Sequence, residues 1–210
     1  MSDNMQQPPA TLRIGDIAPD FQARSTHGPI RLSDYRGKWL IFFSHPADFT
    51  PVCTTEFVTL AQKSAQFSAL DCGLIGLSVD SLYSHFAWVR AIEGKFGIKI
   101  PFPIIEDPNM AIGRAYNMVD EHSIDSSAMR TCYFIDPKGV IRATTNYPHD
   151  VGRSVDEMLR IIAALQITET QNMLTPEGWR PGDKLLQKTP LLSDEISADD
   201  DWFCQKVDIK

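Results

Sequence analysis

The chain has 210 residues, 43% apolar and 22% charged, which fits one domain of ordinary size plus an appendage, or two small domains, and excludes a disordered or fibrous protein. Twenty Lys and Arg against 27 Asp and Glu give a net charge of -7, which argues against a nucleic-acid partner. The longest apolar run, residues 39–43, is far too short to span a bilayer, and the polar start MSDNMQQPPA has no hydrophobic signal region, so a cytoplasmic protein with no membrane partner is expected.

Residues 14–21 read as a loop leading into extended chain, and 29–33 as a short strand. The run from Trp39 to Ser44 is suited to a strand buried on both faces. It stops at His45-Pro46. Pro51 then stands where a first helical residue tolerates proline, and Phe57, Leu60, Ala61 and Phe67 continue at helical spacing. Residues 73–79 (GLIGLSV) predict a second buried strand, 82–96 an amphipathic helix, 102–105 a third strand and 110–118 a short helix. Residues 131–135 and 140–144 flank Asp136-Pro-Lys-Gly139, a turn with Pro second and Gly fourth, and predict a β-hairpin. Ser154 with Glu157 forms a capping-box pattern for a helix ending near Leu165.

Strands alternating with helices, with a hairpin late, predict an α/β domain: a mixed central sheet covered by helices. From Gln166 the texture changes to prolines and acids. Six acids (Asp194, Glu195, Asp199, Asp200, Asp201 and Asp208) and two lysines put -4 of the charge into residues 190–210. The expected organisation is therefore a domain over 1–165 and an arm over 166–210.

The cysteines, Cys53, Cys72, Cys132 and Cys204, include no C-x-x-C pair, which excludes a zinc ribbon and a vicinal dithiol, and they are too sparse for a secreted disulfide scaffold. Cys53 falls in the first turn of the helix after a buried strand, where unpaired backbone N–H groups and the helix dipole favour a thiolate. Thr50, three residues earlier, is near enough to hydrogen-bond the sulfur or what it attacks, and Pro46 and Pro51 stiffen the loop. The same pattern also suits a buried, inert cysteine beside an ordinary capping threonine. Cys72 and Cys132 read as packing residues. His27, His85, His122 and His149 have no metal-ligand spacing and read as surface or satisfied core residues.

The string P-x-x-x-T-x-x-C, carried by Pro46, Thr50 and Cys53, resembles the active-site signature of the peroxiredoxins, and the longer run HPADFTPVCTTE resembles their one-cysteine-type subfamily. The resemblance extends from about Ile14 through the arm. It implies a thioredoxin-like fold and a thiol peroxidase without metal, haem or flavin cofactor. In that reading the Cys53 thiolate attacks hydrogen peroxide or an organic hydroperoxide and is left as a sulfenic acid. Arg130 matches the family's conserved arginine and Arg153 its second active-site arginine, supplying the cation this step needs. His45 would hydrogen-bond the oxidised sulfur, and Glu56 would orient an arginine or support the helix N-terminus.

Trp202-Phe203-Cys204 resembles the C-terminal segment of bacterial and archaeal members that resolve the sulfenic acid across a dimer interface, although the further cysteine such relatives often carry is missing here. The resemblance implies resolution by Cys204 of a partner subunit, thioredoxin or another thiol as reductant, and a homodimer that can assemble into a decamer. The alternatives are an external resolving thiol, with Trp202 and Phe203 acting only as docking anchors, or a peroxide sensor or chaperone. The phospholipase motif of some animal members is absent, since Tyr35-Arg-Gly-Lys-Trp39 stands in its place.

Overall fold

A computed structural model describes residues 11–119, 128–189 and 202–208. The chain divides into two compact units, Met1–Val155 and Asp156–Lys210. In the first unit, seven strands form one sheet in the order β2-β1-β5-β4-β3-β6-β7. They are β1 (Gln22–Ser25), β2 (Gly28–Arg31), β3 (Trp39–Ser44), β4 (Cys72–Ser78), β5 (Ile104–Glu106), β6 (Arg130–Ile135) and β7 (Ile141–Tyr147). β3, β4 and β5 run parallel, and the other neighbours pair antiparallel. The helices are α1 (Pro51–Gln62), α2 (Ser64–Ala69), α3 (Leu82–Phe96) and α4 (Ala111–Ala115).

β3 is buried at every position because helices and loops cover the sheet on both sides of it. Leu40 and Phe42 enter a core cluster with Ile75, Leu77, Ile105 and Tyr116. Phe43 points the other way and meets Phe57 of α1 and Phe102, with Trp88 of α3 also against Phe57. Gly76 makes this possible: a Cβ there would stand 3.2 Å from the Phe57 ring and 3.4 Å from the Phe43 ring. The second glycine of GLIGLSV thus lets α1 lie close on the sheet.

Several local expectations needed correction. β2 ends at Arg31, and Leu32–Tyr35 is a 3-10 turn. Pro29 is tolerated because β2 is an edge strand. The helix expected to run through Phe67 breaks at Lys63, whose φ of -98° and ψ of 6° leave the helical region, and Phe67 stays buried on α2. The short helix expected over 110–118 is trimmed to α4, because Met110 and Asn117 at its ends are left-handed. The buried Asp107 carboxylate accepts from the backbone N–H groups of Ile112 and Gly113 there. At the hairpin the Asp136 carboxylate accepts from the N–H groups of Lys138 and Val140, and Gly139 takes the positive φ that its position requires. Val140 pairs with Ile17 rather than joining β7, so the expected N-terminal loop is stitched to the hairpin.

In the second unit α5 (Val155–Gln171) continues six residues past Leu165, since neither Pro nor Gly interrupts the sequence there. The division between the units accordingly falls ahead of residue 166. Buried Trp179 donates its indole N–H to the Asp183 carbonyl, and Arg160 grips Glu157 through two nitrogens. β8 (Leu185–Leu186) pairs antiparallel with β9 (Lys206–Val207). Of the acidic cluster, Asp194, Glu195 and Asp199 to Asp201 lie outside the described residues, as does His122. Among the described residues no helix is long and apolar enough to cross a membrane.

Candidate active site

β3 delivers the chain to the site. After Ser44, the His45 N–H still bonds the Leu77 carbonyl at 2.9 Å, and Pro46 cannot extend the ladder. The loop turns through Phe49, held at φ 59°, and Thr50 becomes the N-cap of α1 with Pro51 as its first helical residue. Cys53 therefore lies in the first turn of α1, as expected, and is completely buried. The Thr50 hydroxyl donates to the Ala47 carbonyl at 2.8 Å instead of to the sulfur, which leaves its oxygen only lone pairs to offer.

Two arginines from distant parts of the chain converge on this turn. Arg130 opens β6, and its Nη1 lies 3.3 Å from Cys53 Sγ and 2.9 Å from Glu56 Oε2. Its Nε and Nη2 donate to the His149 carbonyl at 3.0 and 2.7 Å. Arg153 approaches Glu56 from the other side. Its backbone N–H and Nε donate to Oε1 at 2.7 and 3.0 Å, and its Nη2 to Oε2 at 2.8 Å. Its Nη1 reaches the Thr131 carbonyl and Cys132 Sγ, and the guanidinium lies 5.3 Å from the centre of the Phe43 ring. Both arginines are buried.

Glu56 is the hub. Burial works against its ionised form, but the hydrogen bonds and charge of Arg153, with the charge of Arg130, outweigh it and hold the carboxyl below the usual range. Two cations on one carboxylate leave a positive charge in excess, and Arg130 directs it at the sulfur. Cys132, expected to be a packing residue, is buried in β6 but also touches Arg153, and burial pushes its thiol up.

His45 is buried with its ring stacked on Trp88 and its edge toward Phe57. Its Nε2 lies 3.0 Å from Asp48 Oδ1, and His85 Nδ1 lies 2.8 Å from Asp48 Oδ2. His85 is thus a satisfied core residue, while His27 is exposed. His45, Asp48 and Asp80 bring three donor atoms within 4.8 Å of one another. Both Asp48 oxygens are taken by histidines, and Asp80 Oδ2 accepts from the Asp48 N–H and the Ser78 hydroxyl, so this is an internal hydrogen-bond network. Sequence reasoning missed Asp48, although its place three residues after His45 in a tight loop was a usable signal. Nothing in the sequence marked His85 as its partner.

Cys204 belongs to the second unit, where it is exposed and free in the turn before β9. The preceding Trp202 and Phe203 rings pack edge to face, and Phe203 is 64% exposed.

Residues 14–144 match the AhpC/TSA family, and 164–193 match the C-terminal domain of 1-Cys peroxiredoxin. Peroxiredoxin 2 of Thermoplasma acidophilum is 46% identical over 84% of this chain and 88% of its own length. Peroxiredoxin 2 of Caldanaerobacter subterraneus subsp. tengcongensis is 48% identical over 88% and 83%. A solved yeast mitochondrial 1-Cys peroxiredoxin, described for thiol resolution via glutathione/thioredoxin systems, superimposes with a TM-score of 0.80 at 40% identity, covering 84% of this chain and 87% of that one. With the thioredoxin-like fold of that structure and a family match across the cysteine turn and the strand that Arg130 opens, the chain belongs to the AhpC/TSA family of peroxiredoxins, oxidoreductases that reduce peroxides through a cysteine.

Proposed function

We propose that Cys53 is the peroxidatic cysteine of a thiol peroxidase acting on hydrogen peroxide and organic hydroperoxides. The observation that carries this reading is the Arg130 guanidinium 3.3 Å from the sulfur, held there by Glu56. A buried site with one surplus positive charge is electrostatically complete when Cys53 is a thiolate. The thiolate attacks the terminal peroxide oxygen, the S–O bond forms as the O–O bond breaks, and the departing oxygen takes a proton and leaves as water or alcohol. Arg130 stabilises the charge that builds on the two oxygens. Thr50, its hydroxyl hydrogen committed to Ala47, accepts from the peroxide hydrogen. Pro46 fixes the entry to the loop, Arg153 and Glu56 hold Arg130, and His45 hydrogen-bonds the oxidised sulfur.

In the second half-reaction Cys204 of a partner subunit attacks the sulfenic sulfur, an S–S bond forms and water leaves. A thioredoxin-type dithiol then reduces the disulfide. Exposure of Cys204 beside exposed Phe203 supports this, in a cytoplasmic homodimer able to build a decamer. The second reading, an external thiol acting on Cys53, is favoured by the likeness to the yeast 1-Cys protein and the thiol systems described for it. A peroxide sensor would oxidise without sustained turnover. Non-reducing electrophoresis after one equivalent of peroxide separates the first two. A dimer band lost in Cys204→Ser supports resolution by the arm, and a monomer carrying a trappable sulfenic acid on Cys53 supports external resolution.

A further inference from the structure

Ser44 is the last residue of β3 and is completely buried. The antiparallel ladder between β3 and β6 ends with the pair Phe43 and Cys132. Beyond it the Ser44 hydroxyl takes over, donating to the Met129 carbonyl and accepting from the Thr131 N–H at 3.2 Å. Met129 and Thr131 flank Arg130, so these two groups belong to the peptide units on either side of the Arg130 Cα. The Thr131 N–H also lies 3.0 Å from the Met129 carbonyl, which closes a three-residue turn centred on Arg130. Arg130 is not at positive φ, so this is the inverse γ-turn that is common at strand ends. One hydroxyl thus holds both ends of the turn that carries the arginine.

Glu56 and the His149 carbonyl grip only the guanidinium, the far end of a long and flexible side chain. That end is fixed in space only if the Cα is fixed as well. Pairing with Tyr147 of β7 holds one side of the Arg130 backbone, and Ser44 holds the other. The same segment serves the second arginine, since the Thr131 carbonyl accepts from Arg153 Nη1 at 3.1 Å. Ser44 also ends the strand that leads into the Cys53 loop, so its hydroxyl ties the approach to the nucleophile to the backbone that carries the cation.

We infer that Ser44 is a positioning residue for peroxide reduction, its hydroxyl setting the backbone at Arg130 so that the guanidinium meets the Cys53 sulfur. The inference rests on the proposed peroxidase reading, in which Arg130 serves the reacting oxygens. A serine that only stabilised the end of β3 would cost stability when replaced and leave the placement of Arg130 and the peroxide rate as they are.

The test uses the full chain, reduced, with Ser44→Ala, which removes one oxygen and leaves the side-chain shape otherwise unchanged. In protein labelled with 15N-arginine, with Arg130 assigned through Arg130→Lys, the Arg130 Nε–H resonance should move, because its bond to the His149 carbonyl depends on where the Cα stands. An unmoved resonance in folded Ser44→Ala overturns the inference. The second-order rate with hydrogen peroxide, read by stopped flow, should fall about tenfold, less than the roughly 10²-fold that a misplacement of about 1 Å can cost. In an Arg130→Ala background the same substitution should change the rate by less than about twofold, because the residue it acts through is gone. A wild-type rate in folded Ser44→Ala, or a tenfold loss that persists without Arg130, overturns it. If Ser44→Ala does not fold, amide exchange in the unsubstituted protein decides: the Thr131 N–H should exchange slowly, and exchange as fast as in an exposed loop overturns the inference. The resonance and the amide involve no turnover, so their failure is distinct from failure of the peroxidase reading, which Cys53→Ser decides.

Discussion

Arg130 holds its guanidinium 3.3 Å from the Cys53 sulfur while donating to Glu56 through the same nitrogen. Strand β6 and helix α1, 77 residues apart at these two positions, are tied at one point where a charge meets a nucleophile. Arg130→Ala should lower the second-order rate with hydrogen peroxide by about 10²-fold or more, the usual loss when one such stabilising donor is removed. Stopped-flow peroxide consumption with excess reductant measures it. A rate within a factor of about two of the wild type would remove Arg130 from the chemistry.

Glu56→Gln should act on stability as well as rate. It leaves Arg153 and Arg130 buried beside a neutral amide, and breaking a buried ion pair in this way destabilises by about 3–5 kcal/mol. Chemical denaturation should show this loss, with a peroxide rate that falls because Arg130 is no longer held. Wild-type stability in Glu56→Gln would mean that the two cations find other partners.

Stability should fall on acidification. Asp48 and Glu56 ionise more readily in the fold than in the unfolded chain, so their contribution is present above the ordinary carboxylate range and is lost as pH drops through it. His45, held neutral by burial, adds a change of the same sign, because the unfolded chain takes up its proton first, below about pH 6.5. The thermal midpoint should be highest near neutrality, decline below about pH 6.5 and drop steeply below about pH 4. A midpoint that rises between pH 7 and 4 would contradict the assignment.

Cys72, Cys132 and Cys204 should differ in alkylation. Burial pushes Cys72 up to about 12 and raises Cys132, and neither is exposed. Timed alkylation of the native reduced protein at pH 8, read by peptide mass spectrometry, should label exposed Cys204 first and leave Cys72 and Cys132 unmodified until denaturant is added. Early labelling of Cys132 would show that its contact with Arg153 activates it.

Much of this is legible in the sequence. The apolar run at 39–44, Pro51 at a helix start and the Asp136 to Gly139 turn are local signals whose physics acts within a few residues, and they located β3, α1 and the hairpin. Cys53, Thr50 and Pro46 share one short string. Arg130 and Arg153 could be singled out only through family resemblance, since an arginine before a strand looks like a surface charge until the fold buries it. The partnership of Asp48 with His85 was illegible because it depends on α3 returning to the loop after β3, a contact 37 residues long in sequence. The helix break at Lys63 and the continuation of α5 past Leu165 were missed because apolar spacing marks a helix's existence better than its ends.

The central claim is that Cys53 is the residue that meets peroxide, and turnover by Cys53→Ser tests it most directly. With the variant folded by circular dichroism and supplied with the thiol reductant that supports the wild type, hydrogen peroxide consumption should drop to background. Retention of wild-type turnover in that variant would contradict the account.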